Sequence, residues 1–143
     1  LLHDLGDDHL PRTPGWDREM VGTLDAMGGG VAYPNDLYMG ETLPTAAFLS
    51  SDLVRALGWM SPPALAHLYI DNFWLELGRA VGISYRDDVV IEHLHPAAGK
   101  AEWDASYLAS NSDDAYAADS AAWEAYMASE FAADLARARG VQV

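Results

Sequence analysis

The stretch "LGDDHLPRTPGWD", residues 5–17, sets two adjacent carboxylates and an imidazole, Asp7, Asp8 and His9, between a short apolar run and a Pro-Gly break. Oxygen and imidazole donors side by side suit a divalent cation, Mn2+ or Mg2+, better than a soft metal. A strand end running into a loop is also where open α/β sheets place their ligands. The same pair serves equally as turn chemistry, each carboxylate accepting a nearby backbone N–H. Spacing alone supports both readings.

A second group lies far downstream. In "VVIEHLHP" a regular strand would put Val89, Ile91, His93 and His95 on one face and Val90, Glu92 and Leu94 on the other. Two imidazoles about 7 Å apart along one face can converge on an ion or a phosphate, or simply be satisfied polar side chains. Glu92, facing away, packs or pairs structurally. Asp71, next to Asn72 at the start of a helical pattern, is either an N-cap or a carboxylate presented as a general base. Trp59, Trp74 and Trp103 could line a sugar platform, although Trp74 belongs to an apolar helix stripe. There is no phosphate-cradling Gly-rich loop, since "GGG" at 28–30 follows a helical pattern instead of opening one, and neither HExxH nor G-x-S-x-G occurs.

The elements that must hold these residues alternate. "LLHDL" reads as the end of a buried strand with nothing before it to pair with. A helix is expected from Thr13 as cap and Pro14 in the first turn, with Trp16, Met20, Leu24 and Met27 on one face and glycines closing it. "VAYPND" reads as a short strand and turn and "LPTAAFLSS" as a second extended piece, which leads into a short helix ended by Gly58. In "SPPALAHLYIDNFWLELGRAVG", Ile70, Phe73, Trp74, Leu77 and Val81 recur at helical spacing, and Gly82 ends the pattern. A polar stretch then leads to one Ala-rich helix from about Asp113 to Arg139, carrying Tyr116, Trp123, Met127, Phe131 and Leu135 as its stripe.

Composition limits the partners. The 143 residues suffice for one domain with a real core. With 22 acidic against 8 basic residues the formal charge is −14, which disfavours nucleic acid, because that binding runs on Lys and Arg neutralising phosphates. A phosphate-bearing substrate stays open if a bound cation supplies the positive charge. The absence of cysteine removes disulfides, thiolate zinc sites and a cysteine nucleophile. No apolar run is long enough to span a membrane and no signal peptide is evident, so the expectation is a soluble, cytoplasmic α/β domain.

Taken in order, "GDDH", "PRTPGWD", "LPTAAFLSSDLVRALGW", "HLYIDNFWLELGRAVG" and "VVIEHLHPAAGKAEWD" resemble the second half of a GT-A glycosyltransferase. The likeness is to the family 2-like enzymes of actinobacteria and their phages, and it runs from about Leu5 to Asp104. The resemblance implies a partial GT-A fold, a small mixed sheet flanked by helices. It further implies a divalent cation held by Asp7, Asp8 and His9 with His95, gripping the diphosphate of a nucleotide-sugar donor. His9 stands where many relatives have another Asp. Asp71 matches the catalytic base of inverting members, and His93, Asn72 and Trp59 are candidate substrate contacts. The family's nucleotide-binding N-terminal half has no counterpart here. The expectation is therefore a fragment, a split enzyme whose sheet another segment or chain completes, or a non-catalytic interaction module that keeps a degenerate half.

Overall fold

The computed structural model describes residues 6–140 and the backbone of Leu2 and His3; the rest of "LLHDL", Leu1, Asp4 and Leu5, lies outside the described residues. Five strands, β1 (Leu2–His3), β2 (His9–Pro11), β3 (Val31–Asn35), β4 (Phe48–Leu49) and β5 (Ile83–His93), form one mixed sheet in the order β1-β4-β3-β5-β2. β3 and β5 run parallel, and the remaining neighbours are antiparallel. Among the described residues six α-helices accompany them: α1 (Trp16–Met27), α2 (Ser51–Leu57), α3 (Ile70–Val81), α4 (Ala105–Ser110), α5 (Asp113–Ser129) and α6 (Phe131–Arg139). The chain is a mixed α/β domain.

Period-2 alternation in the strands feeds two cores. Val31 and Leu49 join the cluster built on Leu53, Phe73, Leu77 and Tyr126, whereas Ala32 and Phe48, one position along, join Met20, Leu24, Val89 and Ile91. Helix α1 therefore covers one face of the sheet, while α2, α3, α5 and α6 gather on the other. The α3 stripe behaves as its spacing requires, with Phe73, Trp74, Leu77 and Val81 all buried. Between the layers the α1–β3 turn passes the α3–β5 turn so closely that a Cβ on Gly30, at φ +113°, would stand 2.5 Å from the Gly82 carbonyl oxygen. Only glycine fits there.

Several elements differ from the sequence expectation. Helix α1 starts at Trp16 behind Gly15, not at a Thr13 cap. The Thr13 hydroxyl instead accepts the Val90 N–H at 2.8 Å, which ties the loop to β5. Asp71 is not the N-cap of α3; that position is Tyr69, held at φ +65°, and Asp71 sits in the first turn. Strand β5 starts at Ile83 and ends at His93, so His95 lies beyond it as the cap of a 3-10 turn, Pro96–Ala98. The polar stretch before Asn111 contains α4, capped by Asp104 accepting the Tyr107 N–H at 2.9 Å. The single Ala-rich helix is two, broken at Glu130. Its buried tyrosine is Tyr126, while Tyr116 of the expected stripe is exposed.

Candidate functional site

Strand pairing builds the site. β2 and β5 are antiparallel with His9 opposite His93, and the Leu94 N–H donates to the Asp8 carbonyl at 2.8 Å just beyond that pair. The two imidazoles consequently stack, ring centres 4.3 Å apart. Asp8, in the turn before β2, is drawn between them: its Oδ2 lies 2.9 Å from His93 Nε2 and its Oδ1 3.2 Å from His9 Nδ1. The Tyr107 hydroxyl from α4 also donates to Asp8 Oδ2, and the Gly6 N–H donates to His9 Nδ1 at 3.1 Å.

Burial works against the charge on Asp8, but the Tyr107 hydroxyl and the two imidazoles outweigh it and hold the carboxyl below its ordinary value. For His93 burial opposes the cation, yet Asp36 and Asp8 more than offset this, and its pKa is raised. His95 is lowered by its own burial and then by neighbouring His93.

Donor atoms of Asp8, His9 and His93 all lie within 4.8 Å of one another. One carboxylate and two imidazoles make an N2O set of the kind that holds Mn2+, Fe2+ or Zn2+, whereas Mg2+ favours oxygen ligands. Of the two cations expected from the sequence, the donor chemistry fits Mn2+. The group contains His93 and neither Asp7 nor His95. Asp7 is exposed in the turn, and His95 spends Nδ1 on the Ala97 N–H at 3.1 Å while its ring stacks on Tyr38.

These residues open on a cleft of about 700 Å³, shared by Asp8, His9, His93 and His95 with Asp71 and Asn72 from the start of α3 and with Tyr38, Trp103, Tyr107 and Tyr116. Trp59 lies outside it, packed on Phe73 and Tyr126 in the core. Trp74 is core as well, its indole N–H donating to the Met60 carbonyl at 2.8 Å while one edge reaches the cleft. Glu92 pairs with Arg12 at 2.7 Å and Lys100 at 3.1 Å, the structural role its face suggests.

Two carboxylates that the sequence reading passed over organise the surroundings. Asp36, 1% exposed, accepts the N–H groups of Tyr38, Met39 and Gly40 on Oδ1 and the Thr45 hydroxyl on Oδ2. Burial raises its pKa, but these partners and His93 together hold it far below the ordinary value. Asp119 of α5 accepts the N–H groups of Ala66, His67 and Leu68, which pins the segment leading to Tyr69 and Asp71. The turn signal "PND" marked Asp36 as an Asx residue, whereas nothing local marks Asp119. Compared with known protein families, curated proteins and solved structures, the chain matches none.

Proposed function

We propose that this chain is the metal- and acceptor-binding part of a GT-A-type glycosyltransferase, one that moves a sugar from a nucleotide-diphosphate donor to an acceptor hydroxyl with inversion. The observation that carries the reading is the convergence of Asp8, His9, His93 and Asp71, from three separate parts of the sequence, on one aromatic-walled cleft. Asp8, His9 and His93 would hold a divalent cation. Bound there, it supplies the positive charge that an acidic chain lacks opposite a departing diphosphate. Asp71, on the wall of the same cleft, takes the proton of the acceptor hydroxyl as its oxygen bonds to the anomeric carbon and the bond from that carbon to the diphosphate breaks. Tyr38 and Trp103, 40% and 48% exposed, offer ring faces for the apolar side of a sugar.

The test is Asp71→Asn in the full-length protein, with donor affinity and transfer rate measured separately. A base predicts donor affinity within about threefold of wild type and transfer slowed on the order of 10²–10⁴-fold. Transfer at the wild-type rate would remove the base from the mechanism.

A further inference from the structure

Among the described residues, two other than glycine stand at positive φ, Leu37 at +56° and Tyr69 at +65°. Each sits at a wall of the cleft, Leu37 directly before Tyr38 and Met39, Tyr69 directly before Ile70, Asp71 and Asn72. Each wall also hangs on a buried carboxylate that accepts three successive backbone N–H groups, Asp36 for residues 38–40 and Asp119 for residues 66–68. Lys100 Nζ donates to the Leu37 carbonyl at 3.1 Å, and the Tyr69 ring stacks on Trp123. Left-handed backbone is costly for a residue with a side chain and persists only where its surroundings over-determine it, as they do at ligand clamps.

The surface between these walls carries its own signal. Of the large apolar side chains left exposed among the described residues, three are aromatic, Tyr38, Trp103 and Tyr116, and all three line this cleft. Tyr38 lies parallel to His95, ring centres 5.5 Å apart, and Trp103 meets His95 and Tyr107 edge to face, so both rings are held by neighbours while they stay open to solvent. Among the described lining residues the carboxylates are Asp8 and Asp71, with no lysine or arginine beside them. A sugar-phosphate or uronic acid would therefore meet like charge. A cationic ligand is the weaker fit, because Asp8 is already met by Tyr107 and both imidazoles, and the Asn72 amide offers a donor and an acceptor together, as hydroxyl groups require.

We infer that the cleft is a preformed subsite for an uncharged saccharide, with Tyr38 and Trp103 against the apolar faces of its rings and its hydroxyls toward the wall of Asp71 and Asn72. That this sugar is the acceptor rests on the proposed function; that the cleft binds it does not.

Saturation-transfer NMR and titration calorimetry on the metal-free chain test this, with the methyl glycosides of glucose, galactose and mannose as probes and glucose 6-phosphate and choline beside them. At least one glycoside should bind with millimolar affinity, and glucose 6-phosphate at least about tenfold more weakly than the best of them. Tyr38→Ala and Trp103→Ala should each weaken that glycoside about 5–10-fold, whereas Val21→Ala, which trims another exposed apolar side chain on α1, should stay within about twofold. Binding of none of the three glycosides overturns the inference, and so does glucose 6-phosphate or choline bound more tightly than every glycoside. Those comparisons need only wild type, so they decide the matter even if a variant fails to fold. Glycoside affinity unchanged in both folded aromatic variants overturns it as well. If a glycoside binds as expected while Asp71→Asn transfers sugar at the wild-type rate, the catalytic reading fails and the subsite stands; if none binds while Asp71→Asn is slow, the subsite fails and the catalytic reading stands.

Discussion

Asp8 accepts the Tyr107 hydroxyl and lies against both imidazoles at once, so its environment can be dismantled one partner at a time. Removing the Tyr107 hydroxyl in Tyr107→Phe leaves a half-buried carboxylate with one donor fewer and unties α4 from the turn before β2. The expected cost is about 1 kcal/mol, read as a lower urea midpoint, with α4 amides exchanging faster. An unchanged midpoint would mean that the contact contributes nothing net. At this scale the sequence showed which residue types gather at the cleft and could not rank them. Asp7 and Asp8 are equivalent in "GDDH"; which one faces inward is decided by the pairing of His9 with His93, a contact across most of the chain. The same pairing selects His93 over His95, because β5 ends at His93 and the chain turns at Pro96. Asp36 had a visible turn signal, yet its contact with the His93 N–H exists only once β3 and β5 are neighbours.

Among the elements, the segment before α3 hangs on Asp119, 6% exposed, through three backbone N–H groups. Asp119→Ala strands those donors and should cost about 2–3 kcal/mol in urea unfolding, loosening His67 to Tyr69 first. The pH dependence follows from the same contacts. Burial raises the Asp119 carboxyl, but the Leu68, His67 and Ala66 N–H groups outweigh it, and the folded-state pKa is lowered. A depressed carboxyl contributes stability that is fully present above its unfolded value of about 3.9 and is lost as pH falls through the lower folded one. Wild type should therefore lose more stability than Asp119→Asn on acidification from about pH 5 to 3, and parallel curves would contradict this. Strongly periodic elements were legible: α3 has a wide apolar stripe, and α1 and α2 end at glycines in the left-handed conformation. The break at Glu130 was not. No Gly or Pro marks it, and it is set by tertiary contacts, with the Tyr126 hydroxyl bound to buried Asp134 at 2.7 Å and α6 packed on α2 and α3. Helix α4, six residues long, is too short for periodicity to register.

Across the whole molecule, helices on both faces of a mixed sheet leave one open corner, where the turn before β2, the end of β5, the start of α3 and helix α4 meet. That corner is the cleft. Alternating strand and helix patterns were enough to read an α/β class, because each pattern had a definite face to bury. They could not supply strand order, which depends on a parallel β3–β5 pair and a register shift between Pro34 and Asn35. No described helix is long and apolar enough to cross a membrane. At a net charge of −14 an anionic donor would enter this corner only with a cation already in it. Titration calorimetry of Mn2+ into wild type, Asp8→Ala and Asp71→Asn tests whether the cleft holds such a cation. About one ion per chain is expected in wild type and in Asp71→Asn, with affinity reduced by more than about a hundredfold in Asp8→Ala. Mn2+ bound equally well by Asp8→Ala, or not at all by wild type, would contradict it.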